Sequence, residues 1–380
     1  MRVCHVSPHL PPDQAANALL PALLGQWLRA RGDQVSYVAH EPGQTPGKAT
    51  DLAGPVSWVP RRADAGGIAR WLRLDAIRLA RDVNAALDER ASDADLLHLH
   101  SNGLIVEVAA AWARRHARPH VLTLYGTEIW HYRPRRPIDP FTRAYRSASH
   151  VTFYSRQLLE RAQSLGLDRP GMSVTYPAVT EAFVPLDAPA RRALRERTGF
   201  GDRFVFLNVK RLHELAGQAF LVDAFARVAR GRSDVRLVIC GAGRLREKIE
   251  AQVRALGVEH LVTLTGLIPN DHVARYMALA DVFVLPSLLE ALPTVAVEAL
   301  ASGTPVISAD HPGGVELAAI FPEDIALVPR ERVEPLATAM AEALAHPRRT
   351  HANTALRLER QFRPAAVLAS FDAVYQKARA

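Results

Sequence analysis

Residues 281–305, DVFVLPSLLEALPTVAVEALASGTP, decide the fold of the second half of this chain. Val282–Leu285 is a short apolar run rich in β-branched and aromatic residues, which predicts a buried parallel strand. After a loop, Thr294 is the expected N-cap of a short helix over Val295–Ala301, which Gly303 ends. A strand, a loop and a helix N-terminus together form an anion site, because free backbone N–H groups and the helix dipole point at the loop.

Two carboxylates, Glu290 and Glu298, flank this anion-binding end with seven residues between them. A carboxylate about 6 Å from a phosphate charge costs roughly 3 kcal/mol at an effective dielectric constant near 20. Each is therefore better suited to accept hydrogen bonds from neutral hydroxyls, such as those of a ribose and a sugar. Either glutamate alone is explained more simply as a surface residue of a solvated helix, but the complete string is more specific.

The composition is that of a globular protein, since 48% of the 380 residues are hydrophobic and 23% are charged. This length allows two domains of ordinary size, each with its own core. No apolar run reaches the roughly 18 residues of a transmembrane helix. Arg2, Cys4 and His5 interrupt the N-terminus too early for a signal-peptide core. Cys4 and Cys240 fall in predicted strands of different halves, so we expect no disulfide and a cytoplasmic location.

The net charge of +8 includes two clusters of arginines in the N-terminal half. One cluster comprises Arg61, Arg62, Arg70, Arg73, Arg78 and Arg81, and the other comprises Arg133, Arg135, Arg136, Arg143 and Arg146. A basic face can bind nucleic acid, anionic lipid or a phosphorylated substrate, and it can equally be an ordinary solvated surface. Because no zinc-finger spacing, RNP-type aromatic motif or recognition-helix pattern occurs, we expect no nucleic-acid partner.

Strands and helices alternate through both halves, which predicts an α/β fold with two Rossmann-like, doubly wound parallel sheets. In the first half the expected strands are Val3–Val6, Val35–Ala39, Leu96–His100, His120–Tyr125 and Val151–Tyr154, and the expected helices are Ala15–Arg31, Ile68–Leu87, Leu104–His116 and Pro140–Ser147. In the second half the further strands are Phe204–Val209, Val235–Cys240, Val262–Thr265 and Val306–Ser308, and the further helices are Ala219–Ala229, Leu245–Leu256, Asp271–Leu279, Pro312–Ala318, Val333–Ala345 and one from Pro364.

The alternating pattern loosens between Tyr176 and Asp202, where prolines are frequent. We therefore expect a first domain over residues 1–180, a linker over 181–202, a second domain over 203–362, and a C-terminal helix over 363–380 that packs back on the first domain. In such sheets ligands bind at the carboxyl ends of the strands, so the two domains would present those ends to a shared cleft.

A second motif, NVKRLHELAGQ over residues 208–218, begins at the end of a predicted strand. Arg211 would project from the carboxyl end of that strand, where a guanidinium fork suits a diphosphate. A lone arginine is normally a surface residue. Arg211 is more specific because it lies at the equivalent edge of the same domain as Glu290 and Glu298.

These motifs resemble those of the GT-B-fold glycosyltransferases of family 4, also called glycosyltransferase group 1. The family pattern has Asn-Val-Gly-Arg-Leu, then Lys-Gly about five residues after the arginine. Later it has two glutamates with seven residues between them, followed by Ala-x-Ala-x-Gly-x-Pro-Val. Glu290–Val306 fits the later part closely. Further segments in family order are Gly241-Ala-Gly243, Thr265-Gly266, Gly313-Gly314-Val315-Glu316 and the terminal Phe362-Arg-Pro segment.

The resemblance implies a GT-B fold and a retaining transferase that needs no metal or other cofactor. It assigns the diphosphate of a nucleotide-sugar donor to Arg211, the donor sugar to Glu290 and the ribose to Glu298. Of these residues, Arg211 and Glu290 would be catalytic. Cations and N–H groups would stabilise the departing diphosphate electrostatically. The full donor-binding set that it implies is Arg211, Gly241, Gly243, Leu267, Glu290, Ala291, Leu292, Pro293, Thr294, Val295 and Glu298. The implied acceptor-binding residues are His100, Tyr125 and Glu128.

Three single positions and one four-residue segment depart from the family pattern. Ala216 replaces the family lysine, and a lost charge-assisted contact is worth about 1.5 to 3 kcal/mol. Lys210 replaces the glycine beside Arg211, and Tyr125 replaces a histidine before Gly-Thr. The paired glycines of the first loop are replaced by residues 14–17, Gln-Ala-Ala-Asn.

Several alternatives stay open on the sequence alone. His98 and His100 share one face of a strand and could pair at a metal, although no third ligand is evident and a core or cleft-lining role is favoured. The departures also fit a non-catalytic GT-B subunit that binds a glycan or partner, and the fold also serves nucleotide-sugar epimerases. The acceptor can be a glycan, a lipid-linked hydroxyl or a small molecule, and the arginine clusters suit a peripheral contact with an anionic membrane.

Overall fold

The fold is described from a computed structural model that covers residues 1–13, 16–42, 52–61, 74–134 and 139–380. The chain divides into two compact units. The first comprises Met1–Pro177 together with Val367–Ala380, and the second comprises Ala178–Ala366.

The first unit contains a seven-stranded parallel sheet in the order β3-β2-β1-β4-β5-β6-β7. Its strands are β1 (Arg2–Ser7), β2 (Gln34–His40), β3 (Val56–Val59), β4 (Leu96–His100), β5 (His120–Leu124), β6 (His150–Phe153) and β7 (Met172–Val174). The helices described around it are α1 (Ala16–Ala30), α2 (Leu74–Arg90), α3 (Leu104–Arg115), α4 (Thr127–Trp130), α5 (Pro140–Ser147) and α6 (Arg156–Ser164).

The second unit contains a six-stranded parallel sheet in the order β10-β9-β8-β11-β12-β13. Its strands are β8 (Phe204–Val209), β9 (Val235–Cys240), β10 (Val262–Gly266), β11 (Val282–Leu285), β12 (Val306–Ala309) and β13 (Ile325–Val328). Its helices are α7 (Ala188–Arg197), α8 (Gln218–Val228), α9 (Arg246–Ala255), α10 (Asn270–Leu279), α11 (Thr294–Ala301), α12 (Pro312–Ile320), α13 (Val333–Ala345) and α14 (Ala352–Gln361), and the chain ends with α15 (Pro364–Arg379).

The strand order creates one switch point in each sheet. From β8 the chain adds β9 and β10 on one side and then crosses to add β11 on the other side. The loops that follow β8 and β11 are therefore neighbours that diverge to opposite sides of the sheet, the position at which open α/β sheets bind ligands. In the first sheet the same switch lies between β1 and β4.

The predicted fold class, α/β with two doubly wound parallel sheets, is confirmed. Three strands were not predicted, β3, β7 and β13, and all three lie at sheet edges. In β3 and β7 a serine interrupts the apolar residues, so these strands lack the continuous apolar run that marks a buried strand, whereas β13 has such a run of only four residues. The predictions also missed α4, α6, α7 and α14. Most of these helices bury few side chains; α6, for example, buries only Leu158 and Ala162.

Two further predictions need correction. The expected linker over residues 181–202 lies in the second unit and contains α7. Thr294 is not an N-cap, because α11 begins at Thr294 and Pro293 occupies the cap position. The predicted helix from Ile68 is described only from Leu74, and residues 62–73 lie outside the described residues.

The described residues can be compared with two expectations, one about a membrane-spanning helix and one about the two cysteines. Within them, no helix combines the length and apolar character needed to cross a bilayer. Cys4 and Cys240 are free and buried.

Candidate functional site

The loops at the switch point of the second sheet bring together two predicted regions of the site. Lys210 directly follows β8, and Glu290 lies in the loop after β11, which pairs with β8. The ammonium of Lys210 lies 2.5 Å from Glu290 Oε1, and their side chains are only 21% and 16% exposed. Two neighbouring loops are thus joined by a partly buried ion pair.

Arg211, next to Lys210, presents a free guanidinium at this edge. Its side chain is exposed and has no hydrogen-bond or ion-pair partner in the part of the chain that the structure describes. Two other cations of the neighbouring loops are already paired, Arg244 with Glu214 and Arg330 with Asp310. Arg211 therefore retains all of its donors for a ligand.

Gly241 and Gly243 hold the backbone on which Arg211 stands. Both have positive φ, +147° and +157°. A Cβ would lie 2.0 Å from the carbonyl oxygen of Lys210 at the first and 2.2 Å from that of Leu212 at the second. The glycines let the loop after β9 pack directly on the loop after β8, so they act on this edge through the backbone.

Helix α11 supplies an uncapped N-terminus beside Glu290. No side chain caps it, and its first turn has no acidic residue. The N–H of Ala296 reaches the carbonyl oxygen of Pro293 at 3.0 Å, which leaves those of Thr294 and Val295 without a partner inside the helix. Free N–H groups and the helix dipole together favour an anion here.

Glu298 lies on the second turn of α11 and is partly buried. Its carboxylate has no hydrogen-bond partner among the described residues. Burial raises its pKa from 4.5 to about 7. A carboxyl group with no partner of its own, held at this edge, is suited to accept hydrogen bonds from hydroxyl groups.

The loop after β12 is hydrogen-bonded to the loop that carries Glu290. It contains a histidine, His311, that the sequence did not indicate as a site residue. His311 is fully buried, and its Nδ1 accepts the N–H of Gly314 at 2.9 Å, which caps α12. The N–H of Gly313 donates to the carbonyl oxygen of Glu290 at 3.1 Å. Burial lowers the pKa of His311 to about 4. The sequence signal was the His-Pro-Gly-Gly run at the end of a strand.

Ala216 and Leu267 occupy contrasting positions around this edge. Ala216 is fully buried in a short 3-10 turn, and the next residue, Gly217, lies so close to Pro286 that a Cβ would approach its carbonyl oxygen to 2.1 Å. Leu267 follows β10 and is 79% exposed.

The first sheet contains a cluster of three buried histidines at its switch point. His98 and His100 on β4 are joined by His5 on β1, which the sequence did not indicate as a third member, and their ring nitrogens lie within 4.8 Å of one another. His5 Nδ1 lies 3.0 Å from His100 Nε2, and His98 bonds to Tyr375 and Thr123 at 2.8 and 2.7 Å. Burial lowers the pKa of all three rings, that of His5 to about 3.

Hydrogen bonds use five of the six ring nitrogens of this cluster. His100 Nδ1 bonds to the Tyr125 hydroxyl at 2.8 Å, and only His5 Nε2 has no partner among the described residues. A divalent ion would have to replace several of these bonds, and its charge would be buried beside neutral groups. The cluster is therefore a neutral hydrogen-bonded network, and its bond from His100 fixes the position of the Tyr125 hydroxyl.

Glu128 is buried, and both oxygens of its carboxylate accept hydrogen bonds from residues of the first unit. One carboxylate oxygen accepts the N–H of Gly126 at 2.8 Å, and the other accepts the Ser101 hydroxyl at 2.5 Å. Glu128 thereby ties the loop after β4 to the turn after β5, which carries Tyr125. Its geometry is that of a structural support for the predicted acceptor side.

A polar cluster at the same edge of the first sheet escaped sequence reasoning. His9 Nδ1 lies 2.7 Å from Asp13 Oδ2, and Arg61 also reaches Asp13, at 3.2 Å. This arrangement fixes the ring of His9, and about a third of its side chain remains exposed (34%). His9 and Asp13 lie four residues apart in the loop after β1, and the pairing of β3 with β2 brings the distant Arg61 to this edge.

Two family models match this chain. One described as Glycosyltransferase Family 4 matches residues 22–183, and one described as Glycosyl transferases group 1 matches residues 190–360. These matches confirm the resemblance drawn from the motifs.

Similar proteins agree with this assignment. A GDP-mannose-dependent alpha-(1-6)-phosphatidylinositol monomannoside mannosyltransferase of Mycolicibacterium smegmatis is 33% identical over 248 residues, 63% of this chain and 64% of that protein. The chain matches less than two thirds of the length of the curated relatives compared. Among solved structures, sucrose-phosphate synthase from Thermosynechococcus elongatus superposes with a TM-score of 0.78 at 19% identity, over 99% of this chain and 98% of that one. Anabaena HepE in complex with UDP-glucose superposes with a TM-score of 0.75 at 17% identity, over 99% of both chains. At these identities the structures establish the fold.

Proposed function

The chain belongs to the GT-B-fold glycosyltransferases of family 4 and group 1, and from this membership we propose that it transfers a sugar from a nucleotide-diphosphate sugar to a hydroxyl acceptor. The proposed reaction retains the anomeric configuration and needs no metal. The observation that carries it is the edge of the second sheet, where the free guanidinium of Arg211 and the uncapped N-terminus of α11 flank Glu290.

The diphosphate binds between Arg211 and the first N–H groups of α11. As the bond between the anomeric carbon and the phosphate oxygen breaks, negative charge develops on the leaving diphosphate. A guanidinium fork and fixed N–H dipoles stabilise that charge without having to rearrange. Such preorganised electrostatic stabilisation is usually the largest single contribution to catalysis. The acceptor oxygen forms the new bond to the anomeric carbon, and its proton passes to the departing phosphate oxygen.

The two glutamates bind the neutral parts of the donor. Glu298, unpaired and partly buried, accepts hydrogen bonds from the ribose hydroxyls. Glu290 accepts hydrogen bonds from the sugar. Leu267, exposed at the end of β10, offers an apolar surface to the base. Gly241 and Gly243 keep the Arg211 loop in register, and residues 291–295 provide the backbone around the distal phosphate.

The acceptor binds at the carboxyl edge of the first sheet. There the Tyr125 hydroxyl is held by His100 at 2.8 Å, and the His9 ring is held by Asp13 at 2.7 Å. Both offer polar atoms whose orientation is fixed before a ligand arrives, which reduces the entropy cost of positioning a hydroxyl. Glu128 contributes by fixing the turn that carries Tyr125.

We further propose that the protein acts in the cytoplasm with an anionic membrane surface as a peripheral partner. Arg114, Arg143 and Arg146 line a cavity of about 690 Å³ in the first unit. These three arginines have no partner in the described part of the chain, so their charge is available to a phosphate group. Co-sedimentation with phosphatidylcholine vesicles, with and without phosphatidylglycerol, tests this; binding that does not depend on the anionic lipid would contradict it.

A donor panel tests the proposed function. The Mycolicibacterium relative is named for GDP-mannose and the Anabaena structure holds UDP-glucose, so the panel starts with these two donors and extends to other UDP-, GDP- and ADP-sugars. We expect slow hydrolysis or transfer from at least one donor, and NMR of the product to show the original anomeric configuration. A complete lack of binding, hydrolysis and transfer would contradict the proposal and favour a non-catalytic subunit. Release of an isomerised donor without acceptor would instead indicate an epimerase.

A further inference from the structure

Lys210 and Ala216 both depart from the family pattern, and in this chain the lysine of the loop stands at position 210. The pattern has glycine beside Arg211 and a lysine at position 216. Here Ala216 is fully buried, whereas the Lys210 ammonium reaches the switch-point edge and contacts Glu290 at 2.5 Å.

We infer that Lys210 is the second diphosphate-binding cation of this chain and takes over the task of the family lysine from a new position in the same loop. The inference rests on the proposed function and names a specific residue in its donor site. Arg211 alone would leave most of the charge of a diphosphate to the N-terminus of α11. Lys210 adds a full positive charge next to Arg211 in sequence and within contact of the loop that leads into α11.

The ion pair with Glu290 prepares the ammonium for this task. An ammonium has three donors, and Glu290 uses one of them, so the others remain for phosphate oxygens. The pair also keeps Glu290 from opposing the incoming phosphate, because its charge is already matched. The same contact orients Glu290, which leaves its second oxygen for a sugar hydroxyl.

Lys210 differs from the other cations of the neighbouring loops in its contact with Glu290. Arg244 and Arg330 of the neighbouring loops are bonded to Glu214 and Asp310, and neither contacts Glu290. The backbone under Lys210 is fixed, since its N–H donates to the carbonyl oxygen of Cys240 at 2.9 Å and its carbonyl oxygen packs on Gly241. A side chain that starts from a fixed backbone loses less entropy when it binds.

Isothermal titration of UDP, GDP and ADP, without a sugar, tests the inference. We expect Lys210→Met to weaken the nucleotide that binds wild type by about ten- to a hundredfold, and Lys210→Arg to preserve most of the affinity. Lys248→Met is the matched control, because Lys248 is an exposed lysine on α9 of the same unit, and it should leave the affinity unchanged.

A second pair of variants separates a phosphate contact from simple neutralisation of Glu290. If Lys210 only neutralises Glu290, then Lys210→Met in a Glu290→Gln background has no effect. We expect at least a tenfold loss there as well. Equal affinities of Glu290→Gln and the double variant would overturn the inference while leaving the proposed function intact. If wild type binds neither UDP, GDP nor ADP, the proposed function itself fails, and the inference fails with it.

Discussion

The carbonyl oxygen of Lys210 lies 2.0 Å from the place where a Cβ on Gly241 would stand. The loop after β9 therefore fits against the loop after β8 only because residue 241 has no side chain. The same relationship recurs two residues later between Gly243 and Leu212. The position of Arg211 thus depends on two glycines that need never touch a ligand.

Gly241→Ala should displace the Lys210–Arg211 loop. The new methyl group would overlap a backbone oxygen, which cannot move aside as a flexible side chain does, so we expect a loss of about 1 to 3 kcal/mol in stability. Nucleotide affinity should fall as well. Gly257→Ala is the control, since Gly257 also has positive φ (+68°) but nothing within 4 Å of the added Cβ. Calorimetry should show a larger drop in melting temperature for Gly241→Ala than for Gly257→Ala. Equal drops in the two variants would contradict the overlap between the new methyl group and the Lys210 carbonyl oxygen.

Glu298→Gln should stabilise the protein in a pH-dependent way while it weakens ribose binding. Burial raises the pKa of Glu298 to about 7, so folding disfavours the carboxylate form. That penalty is absent below pH 4.5, grows as the pH rises and is complete above pH 7. We expect a gain of about 1 to 2 kcal/mol at pH 8 and almost none at pH 4.5. A gain that is independent of pH, or larger in acid, would contradict this assignment.

Arg211→Lys should not substitute for arginine. Lysine keeps the charge but loses the planar fork that matches two phosphate oxygens. We expect Arg211→Ala to weaken nucleotide binding by about ten- to a hundredfold and Arg211→Lys to fall between it and wild type. Arg254→Ala, on α9, serves as an exposed control in the same unit. Wild-type affinity in Arg211→Ala would remove this residue from the donor site.

Glu128→Ala should reveal a structural role. It leaves the Gly126 N–H and the Ser101 hydroxyl without their partner in a buried site, which costs about 2 to 4 kcal/mol. Ser101→Ala removes only one bond and should cost about 0.5 to 1.5 kcal/mol. Thermal unfolding monitors both variants. If Glu128→Ala retained wild-type stability and lost only acceptor affinity, Glu128 would instead be a direct acceptor contact.

The sequence was sufficient for the buried strands and for the family. Continuous apolar runs such as Phe204–Val209 and Val235–Cys240 were placed at the observed ends, because strands buried on both faces leave little ambiguity. The edge strands β3, β7 and β13 were missed, since a half-exposed strand of three or four residues carries little periodicity. The helix α11 was found, but Thr294 was placed one position outside it.

Contacts between distant residues could not be predicted in the same way. Lys210 was noticed as a departure from the family pattern, yet its contact with Glu290 depends on the pairing of β8 with β11, which no local pattern specifies. The same holds for His5, which joins His98 and His100 because β1 pairs with β4. Likewise Arg61, which follows β3, meets His9 and Asp13 of the loop after β1. Strand order, rather than residue type, decides these sites.

A crystal structure with the nucleoside diphosphate that binds in the titrations tests the central claim most directly. We expect the distal phosphate to contact the Arg211 guanidinium, the Lys210 ammonium and the N–H groups of Thr294 and Val295, and the ribose hydroxyls to bond to Glu298. A diphosphate bound elsewhere, or one bound here without contact to Arg211 and α11, would contradict it.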